Sequence, residues 1–211
     1  MTSLFETLRV EDGRPLRGAG HLRRMASSAA ELGIPFDLAA AARAVHGGPP
    51  GSWRLRATLA PDGRLTVERW RFEPDPPGTT VKIGWADERI HSSDPARRHK
   101  SSDRDVYERG TRIAREAGLA DLVFLNERGE LVEGAISTLL IRVGGAVLTP
   151  PLSAGALPGV LRQAWLARAL VREATLRPDD LRSAERVWIA NSLRGLRPAR
   201  LVGEFENEVE S

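Results

Sequence analysis

Cysteine is absent from the 211 residues, which excludes disulfides, thiolate nucleophiles and zinc-thiolate centres and makes the cytoplasm the default setting. Long apolar runs are absent too: none approaches the ~18 residues needed to cross a bilayer, so no membrane partner is expected. The opening Met1-Thr2-Ser3-Leu4-Phe5-Glu6 lacks a charged leader followed by an apolar stretch, and no export signal is expected. Histidines occur only at His21, His46, His91 and His99, with no ligand-like spacing, so no metal site is expected. No serine stands in a Gly-x-Ser-x-Gly setting, which leaves a hydrolase elbow unsupported.

Lysine is the most informative shortage. Among 31 Lys and Arg residues only Lys82 and Lys100 are lysines. A guanidinium stays protonated and cannot form an imine, whereas an amine of ordinary pKa about 10.4 becomes a nucleophile once desolvated. Lys82 lies in the alternation Val81-Lys82-Ile83, which predicts the polar face of a strand. Lys100 is therefore the candidate for amine chemistry.

The formal net charge is only +3, although arginine lifts the pI to 10.1. The densest basic run, Arg97-Arg98-His99-Lys100, is short, lies between Asp94 and Asp103, and has no interleaved aromatics. No nucleic-acid partner is expected. A composition of 41% hydrophobic and 28% charged residues is ordinary for a globular chain, long enough for one large domain or two small ones.

Alternation predicts a strand over residues 4–10, closed by Asp12-Gly13. Leu22, Met25, Ala29 and Leu32 share one helical face, predicting a helix over 21–32 that stops at Gly33. Asp37 caps a second helix over 37–45. Residues 53–59 and 65–72 flank Pro61-Asp62-Gly63 as a hairpin. The stiff segment Pro74-Asp75-Pro76-Pro77-Gly78 excludes helix and central strand, and divides an N-terminal α+β unit, residues 1–77, from a larger unit, residues 78–211. In the second unit a strand is expected over 80–85, a helix over 103–117, a meander of short strands over 122–125, 131–133, 137–143 and 146–148, a helix over 158–171 and a last buried strand over 186–190.

Three places could carry chemistry. Leu157-Pro158-Gly159-Val160-Leu161-Arg162 opens a helix whose first amides lack internal partners, a setting that favours phosphate, although most such starts bind water. Glu133 interrupts an apolar strand; it is either an exposed edge acid or a buried carboxylate that needs a partner. Asn191-Ser192-Leu193-Arg194-Gly195 puts an amide and a hydroxyl at a strand end, as either a ligand site or a plain turn.

In order along the chain, Phe5-Glu6-Thr7-Leu8-Arg9, His21-Leu22-Arg23-Arg24-Met25, His99-Lys100-Ser101-Ser102-Asp103-Arg104, Asn126-Glu127-Arg128-Gly129 leading to Glu133-Gly134, Thr149-Pro150-Pro151, Leu157–Arg162 and Asn191–Gly195 resemble the fold-type IV pyridoxal-phosphate (class IV aminotransferase) family. The resemblance implies an α+β fold of two small α/β domains with pyridoxal 5'-phosphate between them, and a homodimer. It implies Lys100 as the Schiff-base lysine and Glu133 as partner of the pyridine nitrogen. Arg24, the amides of Val160 and Leu161 and the Ser192 hydroxyl are implied to hold the phosphate, and Thr7, Arg9 and Tyr107 to line the substrate side. Tyr107 reads equally well as a helix-packing aromatic.

Within the family, Phe-Glu-Thr-Leu-Arg, His-Lys-Ser-Ser-x-Arg-x-x-Tyr and Asn-Ser-Leu-Arg-Gly are most similar to 4-amino-4-deoxychorismate lyase, which releases pyruvate to leave 4-aminobenzoate for folate. Aminodeoxychorismate synthase is then an implied partner beside the small anionic substrate. Asp103 and Thr138 stand where asparagine is usual, and Leu161 replaces the threonine of the aminotransferases. The chain begins inside what is usually the second strand. A branched-chain or D-amino acid aminotransferase and a non-catalytic relative are the alternatives; the missing opening strand is the support for the latter.

Overall fold

The computed structural model describes residues 2–203. Strand β1 (Leu4–Glu11) turns at Asp12-Gly13 into the two-residue β2 (Arg14–Pro15). Both turn residues have positive φ, 46° and 77°, the backbone that a tight hairpin requires and that glycine tolerates. Helices α1 (Gly18–Glu31) and α2 (Leu38–Val45) follow, the latter capped by Asp37, whose carboxylate accepts from Ala40 N at 2.9 Å. Strands β3 (Ser52–Leu59) and β4 (Leu65–Arg71) complete an antiparallel sheet of order β2-β1-β3-β4.

Register decides what each face of this sheet does. Leu4, Leu8 and Val10 of β1 stand opposite Leu59, Leu55 and Trp53 of β3, and together with Leu22, Met25 and Ala29 of α1 they form one apolar core. The odd-numbered residues of β1 then lie on the other face: Phe5 opposite Thr58, Thr7 opposite Arg56, Arg9 opposite Arg54.

After residues 72–80 come β5 (Val81–Ile90), α3 (Asp105–Glu116), β6 (Asp121–Asn126), β7 (Leu131–Gly134), β8 (Thr138–Val143), β9 (Ala146–Thr149), α4 (Val160–Leu166), β10 (Arg172–Glu173), α5 (Pro178–Arg182), β11 (Arg186–Asn191) and β12 (Gly195–Leu201). Their strands make one mixed sheet of order β10-β9-β8-β11-β12-β5-β6-β7. The expected division at 77/78 falls in the connector ahead of β5, and the expected second unit runs on into residues 204–211, outside the described residues. Lys82 is exposed on β5, as its alternation predicts. No helix among the described residues is long and apolar enough to cross a membrane.

Two expectations need correction. The helix expected over 158–171 is only α4: Gly159 is its N-cap, and the chain turns after Leu166 through Ala169, with φ 52°, into β10. The apolar spacing continues through Leu170 and Val171, but Leu170 is exposed and Val171 is buried beside Leu140, Leu161 and Ala190 after the chain has turned, not as part of the helix. Strand β12 lies beyond the strand expected to be the last, and it contains Pro198. At that position β12 pairs only with β11, opposite Trp188, and β5 joins it from Ala199 onward. Proline is therefore accommodated at a local edge.

Candidate active site

Lys100 follows a short 3-10 turn, Pro95–Arg98, and is stitched to the first sheet by backbone. Phe5 N donates to the Lys100 carbonyl at 2.9 Å, Ser102 N donates to Ser3 O at 2.8 Å, and Leu4 bridges Ser101. The side chain is thereby fixed against the Phe5 ring, with Nζ 4.8 Å from its centre. No hydrogen bond to Nζ is present among the described residues. Burial pushes the amine down to about 7; the charges of Arg104 and Arg24 push the same way, and Glu6 and Glu133 oppose them.

Glu133 lies on β7, the edge strand of the large sheet, yet is only 8% exposed. Edge position and burial coexist because α3 covers this end: the Tyr107 hydroxyl donates to Glu133 Oε1 at 2.8 Å, and Leu157 N donates to the same oxygen at 3.0 Å. Burial raises the carboxyl to about 7, against these hydrogen bonds and the charges of Arg104 and Lys100. Tyr107 packs edge-on against Phe124 with ring centres 5.2 Å apart, and burial and Glu133 push its phenol upward. Arg104 joins the two groups. Its Nη2 donates to Ala135 O at 2.6 Å, and its guanidinium stands 5.5 Å from the Phe5 ring centre and 5.3 Å from that of Tyr107.

Arg24 projects from α1 onto Glu6 of β1, with Nε to Oε1 at 2.8 Å and Nη2 to Oε2 at 2.7 Å, while Nη1 donates to Pro158 O at 3.0 Å. His21 Nδ1 lies 2.6 Å from Glu6 Oε2. Burial alone would raise the Glu6 carboxyl, but Arg24 and the His21 contact outweigh it and hold it at about 2. The Arg24 contact ties α1 to the start of α4, and Gly20 permits that approach: a Cβ there would stand 2.8 Å from Val160 Cγ1. Val160 and Leu161 are the first two residues of α4, which has no side-chain cap. Ser192 is buried in the β11–β12 turn, where Asn191 Oδ1 accepts from Leu193 N at 3.1 Å and Arg194 N at 2.8 Å.

Thr7 and Arg9 share the outer face of β1 with Phe5. Arg56 stands 4.0 Å from the Phe5 ring centre, and Arg9 stands 5.4 Å from that of Phe72 while its Nε pairs with Glu11. The Tyr107 hydroxyl is engaged with Glu133, and its ring is linked to Phe5 of this face through Arg104. Lys100, Glu133 and Arg24 are thus drawn into one electrostatic neighbourhood. Glu6, Arg104 and Arg56 belong to it without having been singled out. For Glu6 a signal existed: a carboxylate at an inward position of the alternation Leu4-Glu6-Leu8-Val10.

The amino-transferase class IV family model matches residues 3–202. The chain belongs to that family. A bifunctional aminodeoxychorismate lyase / D-amino acid transaminase of Mycobacterium tuberculosis is 29% identical, over 90% of this chain and 78% of that protein. Among solved structures, a candidate amino-acid aminotransferase from Mesorhizobium loti superimposes with TM-score 0.91 at 35% identity, covering 96% of this chain and all of the other. A candidate 4-amino-4-deoxychorismate lyase from Legionella pneumophila, at 22% identity and TM-score 0.81 over 99% and 86% of the two chains, shares the fold.

Class IV aminotransferases are pyridoxal-phosphate-dependent enzymes, and this chain's residues fit the cofactor. Both hydrogen bonds at Glu133 go to Oε1, leaving Oε2 for a ring nitrogen. The Lys100 amine is poised near neutrality for an aldehyde. Arg24, beside the start of α4, offers a guanidinium for a phosphate.

Proposed function

We propose that the protein is a 4-amino-4-deoxychorismate lyase, releasing pyruvate and leaving 4-aminobenzoate. In this reading Lys100 carries the cofactor, Glu133 holds its ring nitrogen, and Arg24, the amides of Val160 and Leu161 and the Ser192 hydroxyl hold its phosphate. When bound, pyridoxal phosphate supplies an electron sink for the carbon that bears the substrate nitrogen. The Lys100 amine would be the base that takes the proton from that carbon, which its near-neutral amine is suited to do. The electron pair of the broken C–H bond would complete the aromatic ring as the neighbouring C–O bond breaks, and the enol form of pyruvate would leave and take up a proton at its methylene carbon.

The observation that carries the substrate class is the cationic face opposite the lysine. Thr7, Arg9 and Arg56 line the outer side of the first sheet, and Arg104 closes it from α3. A substrate with two carboxylates matches this excess of guanidinium. The similarity to a protein named for lyase and D-amino acid transaminase activities supports the same choice and keeps amino transfer as the second reading. Supply of 4-aminobenzoate would make aminodeoxychorismate synthase a partner and a homodimer the working assembly.

The test is direct. Purified protein loaded with pyridoxal phosphate is given 4-amino-4-deoxychorismate and pyruvate release is followed, alongside D-alanine or L-leucine with 2-oxoglutarate. Pyruvate release is the expected result; amino transfer without it would replace the lyase by an aminotransferase.

A further inference from the structure

The strip of guanidiniums on the outer face of β1 continues past Arg9 to Arg194, two residues beyond Ser192. Arg194 stands 5.4 Å from the centre of the Phe72 ring, the same distance as Arg9. Phe72 is buried, so arginines from the two sheets meet at one aromatic residue. Like charges gathered in this way need a counter-ion. It comes from the connector between the sheets: Asp75 Oδ1 accepts from Arg194 Nη1 at 2.8 Å, and Oδ2 accepts from Arg197 Nη1 at 3.4 Å.

The two arginines differ in setting. Arg197 is 8% exposed, and its buried Nε has no hydrogen-bond partner among the described residues. The side chains of Arg194 and Asp75 are 34% and 30% exposed. Their contact is therefore wet, of the kind whose formation contributes little net free energy and which exchanges readily. Asp75 reaches Arg194 through one nitrogen, although a guanidinium can take a carboxylate through two parallel bonds.

We propose that Arg194 is a specificity-determining residue that receives the second carboxylate of a dicarboxylic substrate, and that Asp75 is the resident carboxylate which that group displaces. Position supports this. Phe5, against which Lys100 rests, and Arg9 are four residues apart on β1, about 13 Å at strand rise. Arg194 shares the Phe72 ring with Arg9, at the far end of that stretch from the residue that holds Lys100. The inference rests on the lysine-centred reading of the site, not on which reaction follows.

Holoprotein is titrated with glutarate and with butyrate, following the cofactor absorbance, for the wild type, Arg194→Gln, Arg194→Lys and Asp75→Asn. Arg194→Gln is expected to weaken glutarate by about tenfold or more, the worth of a charge-assisted hydrogen bond, with little change for butyrate; Arg194→Lys falls between. Asp75→Asn, which leaves both arginines in place, is expected to tighten glutarate. Equal losses for the two probes in Arg194→Gln, or unchanged or weaker glutarate binding in Asp75→Asn, overturn the proposal. Pyruvate release is read separately. Lost glutarate selectivity in a protein that releases no pyruvate keeps this subsite and removes the lyase; unchanged selectivity in one that does release it has the opposite meaning.

Discussion

The Lys100 amine lies 4.8 Å from the centre of the Phe5 ring, and the backbone N–H of Phe5 donates to the Lys100 carbonyl at 2.9 Å. One residue of β1 thus fixes the lysine at both its backbone and its tip, and the tip faces a ring instead of a carboxylate. With no acid among the described residues in hydrogen-bond contact, burial and the neighbouring guanidiniums set the titration, and the amine falls to about 7.

Covalent capture of pyridoxal phosphate should follow that titration. The neutral amine is the reactive form, so the rate of borohydride-fixable attachment is expected to rise through about pH 7 and level off above it. Peptide mass mapping should place the adduct on Lys100, and Lys100→Ala should give none. Attachment to Lys82 with equal yield would remove the assignment. Arg104 is the largest of the charges acting on the amine, so Arg104→Gln should move the midpoint of the rate profile upward.

Stability of the apoprotein should pass through a minimum near pH 7. The Glu133 carboxyl is raised from 4.5 to about 7. Between those values the folded state keeps a proton that the unfolded state has lost, so stability falls as pH rises, by roughly 3 kcal/mol from this group alone. Lys100 is lowered from 10.5 to about 7, so above pH 7 the unfolded chain binds the extra proton and stability recovers toward 10.5. Urea midpoints across the pH range check both slopes. Glu133→Gln should make the acid side less steep and end it near pH 6, leaving the window from buried Asp121, which is raised from 3.8 to about 6.

Much of this was legible in the residues, for physical reasons that differ by element. β1, β3 and β4 were readable because each has one face in a core and one outside, so their alternation is clean. Asp37 marked α2 through a cap visible in sequence. β12 was hidden by Pro198, and the end of α4 by apolar residues that continue after the helix stops. In the candidate site, Lys100, Glu133 and Arg24 stand out by resemblance and rarity. The Glu6–Arg24 pairing does not, because partners 18 residues apart on a strand and a helix leave no periodic trace.

Glu6→Gln should be among the most damaging conservative changes in the first sheet. Glu6 is 1% exposed and engages both Arg24 and His21. Removing its charge leaves the Arg24 guanidinium under-compensated, at a cost of about 3–5 kcal/mol. The carboxyl titrates at about 2, so its contribution is present above pH 4.5 and is lost only as pH falls toward 2. Thermal unfolding at pH 7 should therefore show the full loss. Affinity for pyridoxal phosphate should also drop, because Arg24 loses one of its two Glu6 acceptors and keeps only a neutral one beside the Pro158 carbonyl. A double-mutant cycle with Arg24→Gln, read by unfolding, should give strong coupling; additive losses would mean the two side chains act independently.

Tyr107→Phe separates the two roles open to that residue. The ring packs on Phe124, whereas the hydroxyl donates to Glu133 Oε1. Phenylalanine keeps the packing and removes only the donor, at a net cost of about 1 kcal/mol. That hydrogen bond lowers the Glu133 carboxyl, so its removal should move the Glu133 titration above about 7 and extend the falling limb of the apoprotein stability profile toward higher pH. A residue that only packed would leave that limb unmoved. Direct contact with substrate would instead leave the apoprotein profile unchanged and raise KM. The geometry favours the first outcome, with Tyr107 acting through Glu133 as a positioning residue.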